Sequence, residues 1–346
     1  MSVTQSRATP GGKAPRLYSR FFNPVALRFL GRRLVQALIV MLMVVIANFV
    51  IIKLAPGDMV DVLSGNSDMT AEQIAGLRTM YGLDQPILIQ LGKYLGQLLT
   101  FNLGYSFRNA APVLDIIMLR LPTTAMLVVL SVIISLTVGT VLGVVAARRA
   151  GKPADAIIST VALLFYATPS FIVAISLILI FSVKLGWLPI AGLTSVGANY
   201  TGMRHVLDVV AHLVMPVTAL CTFYIAIYGR LARATMLEVM SQDFVRTARA
   251  KGMSERRVIY GHALRNALMP LVTMAGLQVS SLIGGAVLVE TVFGLPGMGR
   301  TAFDAVFERD ANLLLGVMFI SSLSVVVVSL VVDILYVIID PRVELK

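Results

Sequence analysis

"IISTVALLFYATPSFIVAISLILIFSV", residues 157–183, runs without a single charged side chain. A bilayer core needs about 20 apolar residues of helix, so this run is long enough to cross one. Five more qualify: about 34–53 ("LVQALIVMLMVVIANFVIIK"), 124–147, 210–229 (containing "HLVMPVTALCTFYIAIYG"), 267–290 and 312–338. Together they predict an all-α polytopic membrane protein with six transmembrane helices. Pro169, Pro216 and Pro270 fall in or beside these runs. Membrane helices accommodate proline where neighbours satisfy the freed carbonyls.

Composition points the same way. Of the 346 residues, 57% are hydrophobic and 14% charged, against roughly 25% charged in soluble domains. One cysteine, Cys221, excludes an intrachain disulfide, and three histidines make a His/Cys metal site unpromising. The net charge of +11 would suggest nucleic acid in a soluble chain. Its distribution assigns it instead to membrane topology. With the N-terminus inside, segments 1–33, 148–155, 230–266 and the tail from 339 carry seven, three, eight and two Lys/Arg, 20 of the 29. Cations concentrate on the cytoplasmic side of short flanks, so both termini are expected in the cytoplasm. The expected domains are then a cytoplasmic tail over 1–33, a first span over 34–53, an external region over 54–123, a core over 124–338 and a tail over 339–346. Residues 1–20 read as disordered. The N-terminal segment reads as leading into a retained signal-anchor, because the apolar run after it is too long for a cleavable signal core.

The external region has local structure of its own. Thr70 and Gln73 make a capping-box pattern, followed by Ile74, Leu77 and Met80 at helical spacing. Gly82 is a stop. Asp84 is the expected cap of a second helix with Pro86 in its first turn and Leu88, Leu91, Leu95 and Leu98 along one face. A small helical cap is therefore expected, either packed over the first two spans or in contact with an external partner.

The motif inventory disfavours an enzyme without excluding one, since intramembrane sites can be sparse. The chain lacks G-x-x-x-x-G-K-[ST], H-E-x-x-H and G-x-S-x-G. "AGKP" at 150–153 has no upstream glycine at the right spacing, and "GLPGMGR" at 294–300 is not G-x-G-x-x-G. Ionisable groups at the spans are few: His212, Glu290 and Asp333. Such groups are functional suspects in lipid. His212 and Asp333 are read as structural or interfacial. An ion-coupled carrier working alone would be expected to show more mid-span carboxylates or unwound segments, and a scaffold or sensor without a pathway is a further rival.

One stretch breaks the apolar rhythm: "RTARAKGMSERRVIYGHALRN", residues 246–266. Asp243 can cap a helix beginning at Phe244, with Phe244, Val245 and Ala248 on one face. Arg246, Arg249 and Lys251 project elsewhere. Gly252 follows as a left-handed stop, and Ser254 caps a second helix that continues toward Pro270, where the fifth span is expected to begin. A helix of about two turns is unstable alone in water, so it needs something to pack against. Two readings stay open on the residues alone: a docking element for a partner subunit, or a basic helix on anionic lipid headgroups.

At this point the chain resembles a known family. The segment is similar to the EAA loop of the transmembrane subunits of type I ABC importers, the binding-protein-dependent permeases, and "ARAKG" at 248–252 followed by "HALRNALMP" at 262–270 is similar to the dipeptide/oligopeptide branch. Arg246 and Thr247 stand where the name-giving Glu-Ala would be. The resemblance extends through "LAPGD" at 54–58, "YGLDQPILIQ" at 81–90, "NLGYSFR" at 102–108, "LGWLPIAG" at 185–192, "ETVFGLPGMGR" at 290–300 and "DPRV" at 340–343.

The resemblance implies the type I importer fold in a bacterial inner membrane. It implies a second homologous permease, two ATP-binding subunits or domains that hold ATP and Mg, and an external solute-binding protein. This chain would carry no cofactor and no catalytic residue of its own. It implies that Phe244 and Ala248 fill an ATPase groove, that Arg246, Arg249 and Lys251 set register by charge, and that Gly252, Ser254 and Pro270 form the corner and its continuation. Glu290, Phe293, Pro296, Gly297 and Gly299 would form an external turn or gate, with Gly297 and Gly299 supplying backbone geometries closed to other residues. Peptides are the implied substrate, although the branch also includes permeases for nickel chelates, glutathione and other small solutes.

Overall fold

The structure is a computed structural model that describes residues 24–54, 60, 64, 69–80 and 82–339, excepting the side chains of 24–30, 280–285 and 333–339. The readings made for residues 1–20, for most of "LAPGD", for "DPRV" and for the Asp333 side chain lie outside the described residues. The helices are α1 (Pro24–Leu54), α2 (Ala71–Met80), α3 (Ile87–Leu99), α4 (Val113–Arg148), α5 (Pro153–Ala167), α6 (Ser170–Leu177, continued by a π-helical stretch Ile178–Lys184) and α7 (Met203–Met240). They are followed by α8 (Asp243–Ala250), α9 (Glu255–Arg257), a π-helical stretch Val258–Ala263, α10 (Leu264–Val292), α11 (Met298–Phe307) and α12 (Ala311–Ile339).

Four helices contain segments long and apolar enough to cross a bilayer: Gly31–Leu54, Val113–Arg148, Met203–Met240 and Ala311–Val332. The run expected as the fifth span lies within the continuous α10. The third expected span is not one straight rod. It breaks between α5 and α6, whose axes differ by 100°. The cause is Pro169, which disfavours helical backbone in the residue before it. Thr168 is accordingly extended, at φ −91° and ψ 122°. Its hydroxyl donates to the Leu164 carbonyl at 2.8 Å, closing off the end of α5.

The pair α4 and α7 forms the spine. Gly139 and Gly143, one turn apart on α4, let the two backbones touch. A Cβ on Gly143 would lie 2.5 Å from both the Gly229 carbonyl oxygen and the Ala232 Cβ, and one on Gly139 would lie 2.7 Å from the Tyr228 Cβ. Small residues at helix contacts are how membrane helices gain packing without a hydrophobic driving force between them. The central core joins Leu127, Ala174, Leu220, Tyr228, Val289 and Phe293 from α4, α6, α7, α10 and the turn after it. A second core joins α1, α3, the start of α4, α11 and α12 through Val45, Leu98, Ile117, Met298 and Phe319.

The region between α1 and α4 is partly as expected. Gln73 Oε1 accepts from the Thr70 amide at 2.8 Å and Thr70 Oγ1 accepts from the Gln73 amide at 3.4 Å, a complete capping box for α2. Gly82 is left-handed at φ +63°. Asp84 does not cap α3. Pro86 holds the N-cap position and no side chain bonds the first turn, because the rigid ring sets the entry angle by itself. Gln90 instead ties the connection down, donating to the carbonyls of Leu83 and Gln85. The region also holds a two-stranded hairpin not expected from the sequence, β1 (Tyr105–Ser106) against β2 (Ala111–Pro112). Asp310 locks it to α12: its carboxylate accepts from Ser106 Oγ at 2.5 Å and from the Leu313 amide at 3.0 Å.

Candidate functional site

The cationic interlude folds as helix, glycine corner, helix. α8 starts at Asp243, one residue earlier than expected; Gln242 is the N-cap position and Asp243 pairs loosely with Arg246 at 3.6 Å instead of capping. Its far end is a full left-handed stop. Gly252 sits at φ +76°, its amide donates to the Arg249 carbonyl at 2.9 Å, and the Met253 amide donates to the Ala248 carbonyl at 3.3 Å. This is the two-bond arrangement that satisfies orphan carbonyls at a helix end. Ser254 holds the next N-cap position, although its hydroxyl makes no cap bond.

Side-chain directions amend the expected roles. Val245, Ala248 and Val258 pack together with Met253 to make a small core inside the corner. Ala248 is therefore part of the element's interior and not an outward plug, whereas Phe244 is exposed. The three cations also divide. Arg249 spans the corner in a two-pronged pair with Glu255, at 2.7 and 3.1 Å. That guanidinium holds the Glu255 carboxyl below its ordinary range. Arg246 and Lys251 face outward. The corner presents Phe244, Arg246 and Lys251, and Arg249 clamps its shape.

From Glu255 the chain is helical without interruption to Val292, through the π-helical stretch Val258–Ala263. Pro270 does not begin this helix but lies inside it. The near end is wedged between the ends of α4 and α7, where Ile259, Ala263 and Ala267 meet Val144, Ala147, Met236 and Val239. Two contacts beside it were not singled out from the sequence. Arg148 approaches Tyr260, hydroxyl at 3.4 Å and guanidinium 5.9 Å from the ring centre. Arg233 of α7 binds Asp155 of α5 through two bonds of 2.6 and 2.8 Å. That guanidinium, helped by the Gly151 amide, lowers the Asp155 carboxyl to about 2. A lone Asp three residues after Lys152 carries no signal of a partner that lies far along the chain.

The far end of the same helix is Glu290. Its side chain is wholly buried. One carboxylate oxygen accepts from Thr124 Oγ1 of α4 at 2.5 Å, the other from the Arg300 amide at 2.9 Å. Thr124 Oγ1 in turn accepts from the Met298 amide at 2.8 Å. Glu290 therefore holds the first turn of α11, where free amides and the helix dipole favour an anion. Gly297 and Gly299 are needed for room and not for unusual backbone angles, which corrects the expectation. Gly297 has φ −107°, but a Cβ there would overlap the Glu290 carboxyl; one on Gly299 would lie 2.8 Å from the Val287 Cα. The left-handed residue of this turn is Gly294, at φ +60°. Phe293 is buried, and its carbonyl accepts from the Gly192 amide at 2.9 Å, tying in the 185–192 loop. Pro296 bridges buried Leu295 and Gly297.

His212 is structural as expected: buried, with Nδ1 2.8 Å from the Asp208 carbonyl one turn back. Asp208 also accepts from the Ser195 amide and hydroxyl, at 2.8 and 2.6 Å.

Comparison with known proteins agrees with this architecture. The family model for the binding-protein-dependent transport system inner membrane component matches residues 139–345, and the model for its N-terminal part matches residues 26–128. The chain is 38% identical over 314 residues to the oligopeptide transport system permease protein AppB of Bacillus subtilis (strain 168), covering 90% of this chain and 98% of that one. It is 38% identical over 333 residues to the di/tripeptide transport system permease protein DppB of Pseudomonas aeruginosa (strain UCBPP-PA14), covering 92% and 99%. An inward-facing structure of the MetNI methionine ABC transporter superposes with TM-score 0.52 over 66% of this chain and 97% of that one; at 17% identity it speaks to the fold alone. With long apolar helices, a glycine corner joined to a long helix, and these matches along nearly its whole length, the chain belongs to the binding-protein-dependent inner membrane permeases, the multi-pass transport subunits of ABC importers.

Proposed function

We propose that this chain is the permease subunit of a peptide importer in a bacterial inner membrane, with both termini cytoplasmic. It forms half of the pathway beside a second, related permease. Two ATP-binding subunits bind ATP and Mg and engage the corner at 243–254 from the cytoplasm; an external solute-binding protein delivers substrate at the Glu290 turn. Peptide as the substrate class rests on the names of the relatives, AppB and DppB.

The observation that carries this reading is the unbroken helical path from Glu255 to Val292. Closure of the ATPase pair displaces the corner. A stiff helix carries that displacement to the Glu290 turn, because the corner's own core and the Arg249–Glu255 clamp keep the corner from absorbing it. The pathway then opens outward by rigid-body motion. Exposed Phe244 supplies the apolar contact in the ATPase groove, with Arg246 and Lys251 setting register.

Gly252→Val tests the corner. Nothing lies within 4 Å of a Cβ at this position, so the substitution acts through backbone strain, about 1–3 kcal/mol for a side chain held in the left-handed region. In the complete reconstituted complex, the variant is expected to insert and assemble but to lose transport and substrate-stimulated ATP hydrolysis. Undiminished transport would remove the corner from the mechanism. Uptake by the purified chain alone under an ion gradient would replace the whole reading with a secondary carrier.

A further inference from the structure

We propose that the groove between α4, α5 and α7 is a site for one anionic phospholipid. The groove has a volume of about 310 Å³ and is lined by Leu142 of α4, Ile158, Ala162 and Phe165 of α5, and Ile225 and Arg230 of α7, among others. Its wall is almost entirely hydrocarbon. It lies in the half of the bundle nearest the cationic end, beside the 148–155 connection with Arg148, Arg149 and Lys152.

The cation in its lining is what identifies the occupant. Arg230 is exposed, and no carboxylate partners it among the described residues. Its guanidinium is held 4.4 Å from the centre of the Tyr166 ring. Stacking of this kind fixes a guanidinium without neutralising it, so its donors stay available to an anion. Neighbouring Arg233, which also lines the groove, is occupied by Asp155. An apolar slot with one preset, uncompensated cation among its lining residues matches a molecule with an acyl chain and a phosphate at one end. A neutral chain would leave Arg230 unanswered, and a free phosphate would leave the slot unfilled. Basic pockets between membrane helices on the cytoplasmic side are suited to anionic headgroups. The occupied groove would brace α5 against the α4–α7 spine.

The test uses the complete complex in nanodiscs containing equal phosphatidylglycerol and phosphatidylethanolamine. Retained lipid is counted by native mass spectrometry, and phosphatidylglycerol with a photoactivatable acyl chain is cross-linked and mapped. The expected result is one retained phosphatidylglycerol per copy of this chain, enriched roughly fivefold over phosphatidylethanolamine, the factor that one surface cation contributes. Cross-links should fall within 157–165 and 222–230. Arg230→Gln should abolish the enrichment and Arg230→Lys should keep most of it. Ala162→Phe should remove the cross-links by filling the slot. Equal retention of both lipids, enrichment that survives Arg230→Gln, or cross-links spread evenly around the bundle would overturn the proposal. So would a cysteine cross-link from position 162 to the second permease, which would make the groove a subunit contact. None of these outcomes depends on ATP coupling, so failure here leaves the reading of the corner standing.

Discussion

A buried carboxylate at Glu290 does the work of a missing helix cap. α11 begins in a tight turn with no capping side chain of its own, and its first amides are satisfied from α4 and α10 by Thr124 and Glu290. Leaving a buried amide without an acceptor costs about 1–3 kcal/mol. Glu290→Ala is therefore expected to lower the melting temperature of the purified complex clearly, and Glu290→Gln less, since an amide keeps one acceptor oxygen. Gly297→Ala should also destabilise, because its Cβ meets the Glu290 carboxyl. The two effects are coupled: Gly297→Ala placed on Glu290→Ala should cost less than on the native chain, and a strictly additive double-mutant cycle would argue against the contact. Glu290 could be suspected from the sequence as an ionisable group at a span end. Thr124, a hydroxyl at the start of an apolar run, gave no sign of being its partner.

At the scale of elements, glycines separate into those that allow contact and those that fill no role in packing. Gly143 is where α4 and α7 touch, and Gly143→Leu would drive a side chain into the backbone of α7. Overpacking of this kind costs about 1–3 kcal/mol or more, so the folded fraction extracted in mild detergent should fall. Gly96, within α3, has nothing within 4 Å of a would-be Cβ. Gly96→Ala is expected to be neutral or to stabilise by about 0.5–1 kcal/mol through helix propensity, and a large loss would show a contact that the structure does not contain. The break between α5 and α6 belongs to this scale as well. An apolar run containing one proline reads as a single span, since bilayer helices tolerate kinks; whether the residue before the proline turns the chain by a few degrees or by 100° depends on what each half packs against.

For the whole molecule, the cationic end is where elements distant in sequence are fastened. Asp155 and Arg233 join α5 to α7 beside the wedge that holds α10. The folded Asp155 carboxyl is lowered to about 2, below the ordinary value of about 3.9. The pair's contribution is therefore complete above about pH 4 and disappears as pH falls through about 2. The gap in melting temperature between the native chain and Asp155→Asn should be constant from pH 7 to 5 and close on further acidification. A gap that widened with acid would contradict the assignment.

What the sequence determined by itself was most of what is periodic or local, although the caps at Asp84 and Asp243 and the 105–112 hairpin, all local, were not read correctly from it. The apolar runs give the helices and their membrane setting, and the capping box at Thr70 and Gln73, the stop at Gly82 and the corner at Gly252 each follow from side chains within a few positions of one another. The same holds for the family resemblance, carried by short strings in order. What only the tertiary structure decided were pairings across the chain: Thr124 with Glu290, Asp155 with Arg233, Ser106 with Asp310, the bend at Pro169, and which of the corner's side chains face inward. The physical reason is that helix and turn signals act over one or two turns of backbone, whereas the partner of a buried polar group, or the occupant of the space beside a glycine, is set by how distant helices pack.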